Sequence, residues 1–208
     1  MINGRSERNK VSVIGLVLIV CFSALAHPFS QDKKAIVRRL TLTKEPVAVT
    51  FTLKGEPAQT SESVNTEEAI RTEEFAADAD WLKDLSLKLK NTSGKTITYV
   101  VVNLRFPEVT RNVASALHQI FLGVDPDGKF QRPEFRLAAN ETIDVPLASR
   151  YEAIKKLLKT TANTPVENVG KLSVEFHSAL FDDGTLFQAG VYYRRDQNDP
   201  HSWTAVKN

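Results

Sequence analysis

Four histidines (His27, His118, His177 and His201) and two acidic clusters (Asp125-Pro126-Asp127 and Asp182-Asp183) are where this chain of 208 residues offers chemistry. Neither group forms a reactive arrangement along the sequence. No two histidines have the short spacing that sets a pair of imidazoles on one metal. The run from Asp125 begins like a calcium loop, which needs oxygen ligands at its first, third and fifth positions and a Glu at the twelfth. Here the fifth residue is Lys129 and the twelfth is Arg136, so Asp125-Pro126-Asp127-Gly128 reads as an ordinary turn. Asp182-Asp183-Gly184 reads as a hairpin tip, where carboxylates favour the turn geometry. There is no Gly-x-Ser-x-Gly elbow, no Walker loop and no Gly-x-Gly-x-x-Gly, and the one cysteine, Cys21, lies in an apolar run. The sequence therefore predicts no catalytic set, no metal site and no cofactor. Glycosidase carboxylates need proximity in space only, which keeps a hydrolase with loop-borne carboxylates among the alternatives.

Contact chemistry is better represented. A tyrosine ring brings contact area at low entropic cost, and arginine brings a planar donor fork. If strands over 97–106, 171–181 and 185–195 share a sheet, strict alternation puts Tyr99, Val101, Asn103 and Arg105 on its outer face. The same face then takes Glu175 and His177, with Gln188, Tyr192 and Arg194. Tyr99, Arg105, His177, Tyr192 and Arg194 are accordingly the expected site for an unidentified protein or glycan. The plainer account of these residues is a solvated face with cross-strand pairs such as Glu175–Arg194.

The elements that would carry them are mostly short strands. Residues 35–43 and 47–53 read as short strands, and the second alternates, with Val47, Val49, Phe51 and Leu53 on one face. Residues 54–80 hold eight acidic and two basic residues and read as a solvated linker, in which Asn65 and Glu68 have the spacing of a helix cap. From Trp81 the pattern is regular: Leu85, Leu87 and Leu89 share a face, and a turn at Asn91-Thr92-Ser93-Gly94-Lys95 leads into a strand stopped by Pro107. Further strands are expected at 117–123, 135–137 and 142–147. A helix is expected over 149–160, capped by Ser149 and striped by Ile154, Leu157 and Leu158. Two long strands, 171–181 and 185–195, close the chain, and the tail is polar apart from Trp203. Trp81, Leu87, Val102, Val174, Phe176, Val191 and Tyr193 are the expected core.

The N-terminus reads as an export signal. Arg5, Arg8 and Lys10 precede an uncharged apolar run, 11–26, that ends in Ala24-Leu25-Ala26, a small-x-small cleavage pattern. Sixteen helical residues span about 24 Å, short of the ~30 Å hydrocarbon core of a bilayer. Membrane contact is expected only through this segment, and only if it is kept. The whole chain carries 27 basic and 25 acidic residues. Residues 27–208 carry 24 of each and no cysteine, which excludes both a disulfide scaffold and a nucleic-acid binder driven by bulk charge. The division expected is 1–26 signal peptide, 27–80 N-terminal strands and acidic linker, and 81–203 main domain.

Asp78-Ala79-Asp80-Trp81-Leu82-Lys83-Asp84-Leu85, the run Leu89–Tyr99, Phe106-Pro107-Glu108, Phe181-Asp182-Asp183-Gly184-Thr185, Gly190, Tyr193-Arg194-Arg195-Asp196 and Trp203 form a set. Together they resemble a group of uncharacterised exported bacterial proteins, and the Asn91–Lys95 turn with its long following strand is similar to immunoglobulin-like extracellular modules. The resemblance implies a sandwich fold and an exported location, and it carries no catalytic or ligand residues. Strand number and spacing point the same way. The expectation is a mainly β, immunoglobulin-like antiparallel β-sandwich with one short helix, preceded by a signal peptide. It would be secreted or periplasmic and act as a non-catalytic module for binding or envelope association; the alternative is a carbohydrate-binding accessory module.

Overall fold

Leu85, Leu87 and Leu89 alternate with Ser86, Lys88 and Lys90, and the pleat of a strand sorts such a run into an apolar and a polar face. In the computed structural model this run is strand β6, and its three leucines are buried. The structure describes residues 32–39, 45–127, 133–196, 199 and 202–206. What the sequence predicts for residues 1–26, for His27 and His201, and for Gly128 and Lys129 lies outside the described residues.

In chain order the elements are β1 (Asp32–Arg39), β2 (Val47–Leu53), β3 (Glu56–Pro57), β4 (Ser61–Asn65), β5 (Ile70–Ala77), the single turn α1 (Trp81–Asp84) and β6 (Leu85–Asn91). They continue with β7 (Ile97–Arg111), β8 (Ala114–Gly123), β9 (Thr142–Pro146), α2 (Tyr151–Ala162), β10 (Lys171–Phe181), β11 (Thr185–Gln188), β12 (Val191–Arg195) and β13 (Trp203–Ala205). The protein is mainly β. One sheet has nine strands, and the other has four in the order β3-β2-β6-β9. In the larger sheet β10 is central. One of its edges pairs with β7, which pairs with β8; the other is shared between β1, parallel at residues 171–173, and β11, antiparallel at residues 178–180. From β1 the sheet runs on to β5 and β4, and from β11 to β12 and β13.

The inner faces of the two sheets meet in one apolar core. The smaller sheet supplies Val47, Leu85, Leu87 and Leu89; the larger supplies Val100, Val102, Leu104, Phe106, Val174, Phe176 and Phe181. The buried Trp81 donates its indole N–H to the Val169 carbonyl at 2.9 Å, which pins α1 to the segment before β10. Helix α2 packs on β7 and β8 through the stripe Ile154 and Leu158. Its stop is local: Asn163 takes the left-handed conformation (φ 51°) and donates its backbone N–H back to the last turn.

Six expectations need correction. Residues 54–80 are not a solvated linker, because β5 pairs with β1 along eight residues and with β4 on its other edge. Asn65 does accept the N–H groups of Glu67 and Glu68, at 3.1 and 3.2 Å, yet it caps the β4–β5 turn and no helix. Pro107 does not stop β7: it is exposed beside the register shift between Phe106 and Thr110, a place where a missing N–H costs no ladder bond. Residues 135–137 supply only an isolated bridge, Leu137 to Ile97. The helix begins with a 3-10 turn (Leu147–Arg150), and the Ser149 hydroxyl donates to the Pro146 carbonyl instead of capping it. Finally, 185–195 is a hairpin, not one strand; it turns at Ala189 and Gly190, both at positive φ.

No break in the sheets falls between residues 80 and 81. Strands from 32–77 pair with strands from 85–181, and residues 31–208 form one compact unit.

Candidate functional sites

The hairpin and a bulge decide which side chains share a face. In β10, Phe176 faces Val102 and Ser178 faces Val101, so His177 is the extra residue of a bulge. Core positions are even-numbered before it (Leu172, Val174, Phe176) and odd-numbered after it (Ala179, Phe181). His177 and Ser178 therefore both line the outer face. The two-residue turn at 189–190 acts similarly on β12. It pairs Phe187 with Tyr192 and Leu186 with Tyr193, so odd positions face even ones.

Tyr192 thus lies on the inner face. Its ring meets Phe187 edge-on at 5.0 Å and stacks on Phe181 at 6.2 Å. Tyr193 takes the outer position expected for Tyr192, and it is half-buried. Val191, expected in the core, is 38% exposed at the turn. The five expected site residues consequently do not share one surface.

Tyr99 and His177 come together on the outer face. They line a groove of about 470 Å³ with Val101, Gln119, Phe121, Pro126, Asp127, Ser178, Leu186, Gln188, Tyr193 and Trp203. Tyr99 is buried at its floor, 7% exposed. The imidazole Nε2 of His177 stands 3.4 Å from the Gln188 amide nitrogen, and Gln119 donates to Asn103 Oδ1 at 3.0 Å. Trp203 carries the Arg195 guanidinium 5.0 Å from its ring centre, and Arg195 lies 4.0 Å from Asp127. The groove is thus walled by rings, with amide and imidazole groups between them and, among the described residues, a single lining carboxylate. Arg105 is half-buried on the same sheet, paired with Leu117 and Ser173, and does not line the groove.

Tyr192 and Arg194 line a second cleft, also about 470 Å³, at one end of the sandwich. Glu45, Pro46, Thr92, Ser93, Gly94, Lys95, Phe181, Thr185 and Val206 also line it. Lys95 pairs with Asp183 at 2.8 Å and sits 5.5 Å from the centre of the Phe181 ring. Burial works to raise the Asp183 carboxyl, but the Lys95 ammonium and the Thr185 N–H, 3.0 Å away, outweigh it and hold the group down at about 2. The Thr185 hydroxyl adds to that field from beyond hydrogen-bonding geometry.

Elsewhere, burial and then the Arg150 guanidinium lower the pKa of His118. Burial and the Asp80 carboxylate, which accepts the Tyr151 hydroxyl at 2.8 Å, push Tyr151 up to about 12. Among the described residues no three His, Cys, Asp or Glu side chains gather as metal ligands. No described helix is long and apolar enough to cross a membrane.

Sequence reasoning missed Tyr193, Leu186, Gln119, Phe121 and Trp203 in the groove, and Lys95, Phe181 and Thr185 in the cleft. One signal was present: Gly190 after a small residue, between two apolar runs, marks a two-residue hairpin turn and reverses the parity of β12. Nothing local marks the His177 bulge. Comparison with protein-family models, curated proteins and solved structures returns no match for this chain.

Proposed function

We propose that this protein is an exported, non-catalytic immunoglobulin-like module that binds a partner in the outer-face groove. The groove carries the proposal: its size falls in the range of small-ligand sites, and its rings and convergent polar groups can fix the orientation of a ligand. Strand order supports the immunoglobulin-like assignment. β2-β6-β9 faces β8-β7-β10-β11, as A-B-E faces C′-C-F-G in such sandwiches. β1, β5 and β4, with β12 and β13, are additions to that plan. The charged start, apolar run and Ala24-Leu25-Ala26 support export, secreted or periplasmic.

A sugar ring is the second reading, favoured by Tyr193 and Trp203 on one wall with Gln188 and His177 beside them. A hydrolase fits less well, since glycoside hydrolysis uses two flanking carboxylates and Asp127 is the only carboxylate among the described lining residues.

The test is a Tyr193→Ala/Trp203→Ala variant compared with the unmodified protein in capture from an envelope fraction and in binding to a glycan panel. The variant should keep its melting profile and lose capture by more than about tenfold, as expected when central aromatic anchors are truncated. Undiminished capture, or turnover of a captured polysaccharide, would overturn the assignment. Export has its own check: the intact mass of the secreted form should correspond to a chain beginning at His27. Retention of residues 1–26 would make it an anchored protein instead.

A further inference from the structure

The cleft at the end of the sandwich has features that the outer groove does not explain. Thr185 is 4% exposed, and its hydroxyl oxygen is buried without a hydrogen-bond partner among the described residues. Buried hydroxyls are nearly always paired, so an orphan lining a cavity marks a place where a polar atom from outside is wanted. Directly across the ladder from Thr185 stands Arg194, on the same face of the β11–β12 pair. The Arg194 guanidinium is exposed, and it has no hydrogen-bond or ion-pair partner among the described residues.

Lys95 is engaged by Asp183 at 2.8 Å, and Glu45 contributes one carboxylate to the lining while its backbone carbonyl accepts the Thr92 hydroxyl at 3.0 Å. Arg194 is left as the lining cation with no ion pair among the described residues, on the strand next to that of the orphan hydroxyl, at a spacing of about 4.8 Å. Beneath them lie the stacked rings of Phe181 and Tyr192, with Pro46 and Val206 on the walls.

We propose that this cleft is a second binding site, and that it takes a small organic carboxylate with an apolar, ring-sized body. The carboxylate would pair with the Arg194 fork and accept the Thr185 hydroxyl, and the body would lie on Phe181 and Tyr192. A planar fork suits a planar two-oxygen anion, and an aromatic floor suits a flat apolar group. Cleft and groove lie on opposite faces of the sheet, so each can fail without the other.

The experiment is an NMR titration of the purified protein with three probes: benzoate, its neutral analogue benzyl alcohol, and inorganic phosphate. Benzoate should move the signals of Thr185, Arg194 and Lys95 saturably. Benzyl alcohol should bind at least about tenfold more weakly, the loss expected when a charge-assisted hydrogen bond is removed. Arg194→Ala should weaken benzoate similarly and leave the melting temperature unchanged, because the side chain is exposed. Arg194→Lys, which keeps the charge and loses the fork, should recover only part of the affinity. Equal binding of benzoate and benzyl alcohol, phosphate as tight as benzoate, undiminished binding in Arg194→Ala, or no saturable shift would each overturn the proposal.

Discussion

Asn91 shows how much one side chain can organise. It is fully buried, and its amide nitrogen donates to the carbonyls of Lys95, Leu137 and Ala138 at 2.8, 2.9 and 3.1 Å. Its oxygen accepts the backbone N–H and the hydroxyl of Ser93 at 2.9 and 2.6 Å. The turn that opens β7 and the segment that leads into β9 are thus tied to one amide. Asn91→Ala should cost about 3 kcal/mol in a denaturant titration, since it leaves buried carbonyls without donors; a loss below about 0.5 kcal/mol would mean that water replaces the amide. The sequence marks Asn91 as a turn residue, but its partners near 137 are not legible, because they arrive from 46 residues away. Asp183 is likewise legible only as a hairpin tip. Its depressed pKa gives it a sign: the ion pair with Lys95 contributes stability above the ordinary carboxylate value of 3.8, and loses it as pH falls through about 2. Both partners are partly exposed, so the contribution should stay under about 1 kcal/mol. Asp183→Asn should lower the melting temperature slightly at neutral pH and leave it unchanged in strong acid. An equal deficit at both pH values would assign the effect to the turn and not to the charge.

At the scale of elements, period and punctuation separate what could be read from what could not. The leucine alternation of β6 and the limits of β10 at 171–181 follow directly from the sequence, as does the apolar stripe of α2. The faces of β10 and β12 do not, because one bulged residue or one two-residue turn reverses every side chain beyond it. β4 and β5 are hidden for another reason. Their composition is that of a solvated segment, and they hold their place by ladder bonds and by ion pairs such as Arg38–Glu73 and Arg71–Glu62, with little apolar surface beyond Phe75 and Ala77. The β11–β12 turn itself yields a prediction. Ala189 sits at φ 49° beside Gly190 at φ 84°, and a left-handed conformation costs a residue with a Cβ roughly 1–2 kcal/mol. Asn tolerates that region and is the preferred first residue of such a turn. Ala189→Asn should therefore stabilise the protein by about 0.5–1 kcal/mol in thermal or urea unfolding, without moving the groove or the cleft. A destabilised variant would show that the turn is not of this type.

Across the whole molecule, the strands are joined in an order that the sequence does not announce. The chain reads as an N-terminal segment followed by a domain from residue 81, but β1 lies against β10 and β2 against β6, so the first strands sit inside both sheets. Ile36, Val47 and Phe75 belong to the same core as Leu87, Val102 and Phe176, and Phe75 meets Trp81 edge-on at 5.5 Å. With no cysteine beyond residue 26, no cross-link is on hand to compensate for lost packing. A fragment of residues 81–208 is the direct test of this interdependence. It would expose β6 along the whole edge that β2 covers and open the β10 edge at residues 171–173. It would also uncover the core beneath Ile36, Val47 and Phe75, each worth about 1.5–3 kcal/mol of burial. Summed over the three, that loss is comparable with the roughly 5–15 kcal/mol by which a domain of this kind is stable. The fragment should therefore lack a cooperative melting transition and bind a hydrophobic dye, whereas the chain from His27 should melt in one step that a thiol reductant does not shift. Cooperative melting of the fragment would place the domain boundary at residue 81 and reduce β1–β5 to an appendage.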